Sequence, residues 1–342
     1  MLTVYSPDHE LRNAKTELYG GQLVPPFECP ERVQYVLDRV NEVGLGEVIA
    51  PEDFSIDPIY RIHDPGFIEF LQGCWAEWQA EGFKGEAIPT VIPTRGMQQR
   101  IPNHIEGKLG YYAMAIETSI SEGTWPAARA SANVALTAQS RVKQSQDAAF
   151  ALCRPPGHHA AGDLFGGYCF INNAAVSAQA FIDQGARRVA ILDVDFHHGN
   201  GTQSIFYDRE DVMFLSLHGD PKEAFPHFLG YNDELGAGNG EGFNYNYPLG
   251  PNTGYDVWAR ALEHACNKIT NYAPDALVVS LGVDTFEHDP ISFFKLTSDD
   301  FKRYGVLIAK LNLPTLFVME GGYAVEEIGL NTVNVLSGFE NR

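Results

Sequence analysis

The run Arg187–Gly201, RRVAILDVDFHHGNG, decides the fold. Val189 to Leu192 is a short apolar, β-branched stretch, the pattern of a strand buried on both faces of a parallel sheet. Polar groups crowd its end: Asp193, Asp195, His197 and His198 stand where the chain should leave the sheet. In an extended segment successive side chains alternate faces, so Asp195 and His197, two apart, point the same way. A carboxylate and an imidazole then converge as two ligands of a metal would. The same letters also describe a solvated polar loop. Only a third ligand and an acid–base apparatus elsewhere in the chain separate the two readings.

On either side of this run a strand–loop–helix rhythm holds. Strands are expected at Ala148–Cys153, Val212–Leu217, Ala276–Leu281 and Thr315–Met319. Helices are expected at Glu31–Val43, from near Pro65, at Gly110–Ile120, at the Ala-rich Trp125–Gln144 and from about Asn172. Further helices follow at Gln203–Tyr207, Tyr255–Tyr272, Ser298–Lys310 and Glu326–Phe339. Such alternation predicts an α/β protein with a single open, mostly parallel sheet and helices on both faces. Much of the first 30 residues, rich in Pro and Gly, reads as loop, and after Leu217 a long glycine-rich passage with no assigned element runs to Gly254. The unusual residues share one edge. Gly157-His158-His159, Asp193 to His198, His218 to Asp220, Asp284 and Glu320 to Tyr323 each follow a strand, at the carboxyl ends where open α/β sheets bind ligands.

The totals bound the rest. The chain has 342 residues, 44% of them apolar, which is ample for a core, and no stretch approaches the ~20 apolar residues of a membrane span. No repeat or linker divides it, so one catalytic domain is expected over 1–342, with an insertion at about 82–102. The N-terminal MLTVYSPDHELR lacks the pattern of a secretory leader, which predicts a cytoplasmic protein. The five cysteines are scattered without C-x-x-C spacing, against both a disulfide framework and a cysteine zinc site. Net charge is −20, from 44 acidic and 24 basic residues. That charge repels phosphate backbones, excludes nucleic acid as a partner and attracts cationic ligands, although it also serves solubility. The insertion, GFKGEAIPTVIPTRGMQQRIP, has no helical or strand period. Its Ile88, Val91, Ile92 and Met97 favour a docked or interfacial loop over disorder.

Asp284, after Leu281-Gly282-Val283, supplies a third ligand to Asp195 and His197. One nitrogen and two carboxylates leave a position open for water or substrate, as catalytic zinc sites do, and Fe²⁺ or Mn²⁺ accepts the same set. His158 and His159 are acid–base candidates that titrate near neutrality. Tyr323, behind two glycines, is a candidate donor to a developing oxyanion. Paired histidines also fit a metal pair, and a tyrosine at a helix start also fits simple packing.

Taken together, RPPGHH, GGYCFINN, LDVDFHHGNGTQ, SLHGD, LGVDTFEHDP and MEGGY resemble the zinc-dependent histone deacetylase superfamily, with its arginase/deacetylase-like fold. RNAKTELYGGQLVPPFE, RIPNHIEG, FPHFLGY and DTFEHDPISFFKL look like its bacterial acetylpolyamine amidohydrolase branch. The resemblance implies one Zn²⁺ on Asp195, His197 and Asp284, with Tyr323 polarising the amide carbonyl. It implies His159 as general base and then acid, and His158 as an electrostatic partner bonded to Asp193. Asn200 takes the place where an aspartate often partners the second histidine, so His159 should be less basic than with a carboxylate partner. Structural K⁺ is implied near Asp193, Asp195, His197, Ser216 and Leu217, with a second site near Phe206, Arg209, Val212 and Phe243. Tyr168 and Phe225 fit the aromatic walls of a narrow tunnel, with Gly167 beside the first and Ile291 near the rim. Glu117, and behind it Glu106, are candidates to receive the distal ammonium of a small cationic acetylated amine. The 82–102 insertion looks like the branch's dimerisation loop, which narrows the entrance and implies a homodimer. The resemblance thus implies deacetylation of acetylputrescine-, acetylcadaverine- or acetylspermidine-type amines. The nearest alternative is an acetyl-lysine deacetylase of peptides, followed by a binuclear manganese ureohydrolase and a silent binding module.

Overall fold

The structure is a computed structural model that describes residues 1–145 and 147–340. The domain expected over 1–342 therefore ends on two residues, Asn341 and Arg342, that lie outside the described ones. In chain order the strands are β1 (Leu2–Val4), β2 (Glu17–Tyr19), β3 (Gln22–Val24), β4 (Val48–Ile49), β5 (Ala148–Ala151), β6 (Val189–Asp193), β7 (Val212–Gly219), β8 (Asn244–Leu249), β9 (Ala276–Leu281) and β10 (Thr315–Met319). Strands β2 and β3 form a separate hairpin, and the others form one sheet in the order β4-β1-β5-β10-β9-β6-β7-β8, parallel throughout.

The central strands are buried along their whole length because both faces are covered. Along β6, Ala190 and Leu192 join the core on one side of the sheet, and Val189 and Ile191 join the core on the other. Helices α1 (Glu31–Val43), α8 (Tyr255–Tyr272), α9 (Ser298–Ala309) and α10 (Ile328–Glu340) cover the first side. Helices α5 (Thr124–Ser145) and α6 (Asn173–Asp183) cover the second, while α2 (Asp57–Tyr60) and α3 (Pro65–Ala80) precede α5 in the chain and α7 (Asn200–Phe206) follows β6. Local chemistry fixes several helix starts. Asn172 accepts from the Ala175 N–H at α6, and at α9 Thr297 and Asp300 form a reciprocal capping box. Among the described residues no helix is long and apolar enough to cross a membrane.

Two expectations need correction. The segment 110–120 is not a helix. The helix α4 (Ile105–Tyr111) starts earlier, where His104 accepts from the Glu106 N–H, and the chain then turns into isolated bridges Ala113–Phe165 and Ile120–Ala87. The glycine-rich passage up to Gly254, given no element from sequence, contains β8, an edge strand whose Pro248 weakens its strand signature. Much of residues 1–30 is loop as expected, although β1 lies inside the sheet, between β4 and β5.

Candidate active site

The loops after β5, β10, β9 and β6, four adjacent strands, meet at one edge of the sheet. Asp195, His197 and Asp284 converge there, with one ligand atom of each within 4.8 Å of the others. His197 Nδ1 lies 2.9 Å from Asp284 Oδ2 and 3.4 Å from Asp195 Oδ1. The convergence does not come from strand alternation, because β6 ends at Asp193. A turn does it: Asp195 Oδ1 accepts the His197 N–H at 2.8 Å, which folds the two side chains together. The remaining carboxylate oxygens are aimed by backbone, Asp195 Oδ2 by Gly321 N–H (2.8 Å) and Asp284 Oδ1 by Phe196 N–H (2.7 Å).

This donor set fits a divalent cation. Burial, then the charge of Asp195, pushes the Asp284 carboxyl up to about 8, because two carboxylates share a dry pocket. A cation relieves that crowding. The pocket is also cradled by glycine: a Cβ on Gly282 would fall 1.9 Å from Asp195 Oδ2, and one on Gly321 within 2.7 Å of both Asp195 and Asp284 carboxylates.

The histidine pair follows β5. Glu320 Oε2 accepts the N–H groups of Gly157 (2.7 Å) and His158 (3.1 Å) and so fixes the turn that presents both rings. His158 donates from Nδ1 to Asp193 at 3.0 Å, and His159 donates from Nδ1 to Asn200 at 2.6 Å. Burial lowers His158, but the carboxylates of Asp195 and Asp193 outweigh it and push it up to about 10. His159 is held well below its ordinary value by burial, then by the charges of His158 and His197. The two neighbouring imidazoles are thus pushed in opposite directions.

A cavity of about 320 Å³ opens over these groups, lined by His159, His197, Tyr323, Gly167, Tyr168, Phe225, Ile291 and Glu117. Phe225 meets the His159 ring edge-on at 5.0 Å, and Tyr168 meets Tyr323 at 5.6 Å. Gly167 has no room for a side chain, since a Cβ would lie 2.3 Å from the His159 ring. Glu117 Oε1 accepts the Gly167 N–H (2.7 Å), and Thr118 Oγ1 accepts the Tyr168 N–H (2.8 Å). These bonds hold Tyr168 in a left-handed conformation (φ 65°) that a non-glycine residue adopts only under constraint.

Glu106 is not in the cavity. It sits in the first turn of α4, beside the His104 ring at 3.7 Å, because the helix starts at Ile105. Of the residues expected around K⁺, Asp193 and Ser216 are direct neighbours in register, and the Ser216 hydroxyl pairs with His218. In the second group, Phe206 accepts the Arg209 N–H, and Phe243 accepts from Phe214, two residues beyond Val212.

Other contributors escaped the sequence reading. Tyr19, Glu223 and Phe293 line the cavity, the first from the β2–β3 hairpin. Glu17 of the same hairpin is 2% exposed and accepts the Tyr168 hydroxyl at 3.1 Å. Arg32 donates to the carbonyls of Gly322 and Glu320 (both 2.6 Å) and pairs with Glu28, which also pairs with Arg154. Short apolar hairpins and long-range pairs of this kind leave no periodic signal.

Comparison with known proteins gives concordant results. Residues 26–339 match the histone deacetylase domain. The chain is 59% identical over 342 residues to acetylpolyamine amidohydrolase 1 of Pseudomonas aeruginosa, with 99% of each chain covered. It is 57% identical over 338 residues to the acetylpolyamine amidohydrolase of Mycoplana ramosa, again covering 99% of each. Among solved structures, it superposes on the acetylpolyamine aminohydrolase of Burkholderia pseudomallei with a TM-score of 0.95, at 40% identity over 99% of this chain and 98% of that one.

Proposed function

The chain belongs to the histone deacetylase family, in its acetylpolyamine amidohydrolase branch, and from that membership we propose that it hydrolyses N-acetylated polyamines or diamines to free amine and acetate. The observation that carries the reading is a single cavity lined by His197, His159, Tyr323 and a carboxylate, Glu117, with Asp195 and Asp284 buried beside His197 and His158 buried beside His159.

Asp195, His197 and Asp284 are the residues that would hold Zn²⁺, which would supply Lewis-acid polarisation of the amide carbonyl and acidify a water. The chain's own groups do the rest. His159 spends its Nδ1 proton on Asn200, which leaves the Nε2 lone pair to take a proton from the attacking water. As the C–N bond breaks, the same nitrogen returns that proton to the leaving amine. His158, charged and tied to Asp193, stabilises negative charge without moving a proton. Burial holds the Tyr323 phenol well above its ordinary value, so it stays protonated as a donor to the developing oxyanion. Tyr168 and Phe225 flank a slender alkyl chain, with Gly167 and Ile291 beside them. Glu117 has one oxygen engaged with Gly167 and Thr118 and directs the other to the substrate's distal ammonium.

Two further elements belong to the reading. A structural K⁺ would be held near Asp193, Asp195, His197, Ser216 and Leu217, and a second near Phe206, Arg209, Val212 and Phe243. The 82–102 loop forms a homodimer contact. Its first part docks on its own chain through the Ala87–Ile120 bridge, while Val91, Met97 and Ile101 are each more than half exposed. The five free cysteines suit the reducing cytoplasm.

The test is amine release by the zinc-loaded protein from N-acetylputrescine, N-acetylcadaverine and an acetyl-lysine peptide, side by side. Fast release from the small amines supports the reading; preference for the peptide overturns the substrate class and leaves the chemistry.

A further inference from the structure

The chain leaves β10 through Glu320–Tyr323 and reaches α10 at Ile328. Before Tyr323 this turn is held from two sides: Arg32 donates to the carbonyls of Glu320 and Gly322, and Asp195 accepts the Gly321 N–H. At Tyr323 and beyond, a different group takes over. Asp289 Oδ2 accepts the N–H of Tyr323 at 2.7 Å and that of Ala324 at 3.3 Å. Its other oxygen, Oδ1, accepts the Ile291 N–H at 3.1 Å. Asp289 is 6% exposed and, among the described residues, forms no ion pair. A buried carboxylate in that position is held by its N–H donors, and all three belong to the two loop segments that face the cavity.

We propose that Asp289 is a positioning residue of the reaction, whose carboxylate sets the placement of the Tyr323 phenol over the scissile amide and ties it to the rim segment that carries Ile291. The inference rests on the reading of Tyr323 as the oxyanion donor. An acceptor-only group is what the position needs. Asparagine of the same shape turns an NH₂ toward one of the loop N–H groups and can serve only one of the two segments. Losing that tie leaves the phenol intact but displaced, and a displacement near 1 Å is enough to lower turnover about 100-fold.

The test is a double-mutant cycle on the zinc-loaded enzyme with N-acetylputrescine, using Asp289→Asn, Tyr323→Phe and both together. Asp289→Asn is expected to lower kcat by about 10–100-fold with KM within about threefold of the parent. In the Tyr323→Phe background the same substitution should lower kcat by no more than about twofold, because the group it positions is gone. An equal fall in both backgrounds, or a raised KM with unchanged kcat, overturns the inference while the function stands. Near-normal turnover of Tyr323→Phe alone overturns the underlying reading instead. Asp289→Glu, which keeps the charge but moves its oxygens, enters the same cycle if the Asn variant does not fold. If neither variant folds, Asp289 serves stability alone and the positioning role is rejected.

Discussion

His159 donates from Nδ1 to the amide oxygen of Asn200 over 2.6 Å, so the imidazole facing the cavity has a neutral partner. Burial, then His158 and His197, already holds this imidazole well below its ordinary value, and an amide does less than a carboxylate to raise it. A general base must be deprotonated to act. Asn200→Asp should therefore raise the basicity of His159 and move the acid limb of the kcat/KM profile to higher pH. Activity then falls at the acid end. A pH–rate profile of both proteins checks it, and an unmoved limb removes His159 from that role.

Glu117 is expected to act on the distal charge of the substrate. Glu117→Gln keeps an acceptor for the Gly167 N–H but removes the charge, so kcat/KM for N-acetylputrescine should drop by about 10–100-fold, the scale of a hydrogen bond to a charged group. N-butylacetamide, which lacks the ammonium, should change little. Equal losses on both substrates would show that Glu117 supports the wall at Gly167 and Tyr168 only.

Glu17 couples the β2–β3 hairpin to pH. Burial pushes its carboxyl up to about 7, against hydrogen bonds from Phe27 and Tyr168 that pull it down. A carboxyl raised on folding binds its proton more tightly in the native state. Its stabilising contribution is complete below the ordinary glutamate range and is lost as pH rises through about 7. Urea midpoints at pH 5 and pH 8 should therefore differ more in the parent than in Glu17→Gln. Identical pH dependence in the two proteins would reject the coupling.

Gly282→Ala is expected to abolish metal uptake while leaving the fold recognisable. The added Cβ lands on the Asp195 carboxylate, 1.9 Å from Oδ2, and one of the three donors must turn away. Metal content by atomic emission beside far-UV circular dichroism decides it; full zinc occupancy in the variant would mean that the trio is not the binding site.

The sheet and the candidate trio were legible because strand ends and chemistry coincide in short stretches. Val189–Leu192, Ala276–Leu281 and Thr315–Met319 are apolar runs whose boundaries are marked by the residues of the site itself. Asp195 and His197 were paired correctly for the wrong reason, since a side-chain-to-backbone turn joins them after the strand has ended. β8 stayed hidden because its partners lie on one side only, and Asn244, Asn246 and Pro248 read as loop. The segment 110–120 looked helical by composition. Its backbone is taken instead by bridges to Phe165 and Ala87, contacts that no local pattern encodes. Glu17 and Asp289 were invisible for the same reason: each matters through a partner far along the chain, Tyr168 in one case and Tyr323 in the other.

The grip of Arg32 on Glu320 and Gly322 also has a consequence in time. Its two carbonyl partners lie 288 and 290 residues downstream. At translation speeds of about 5–20 residues per second, the guanidinium emerges about 15–60 s before the turn it must hold. Glu28, four positions away, is present from the start and keeps the charge company in the meantime. The hydrolytic centre is therefore completed only after β10, which leads into the turn carrying Tyr323, has been made and has paired between β5 and β9.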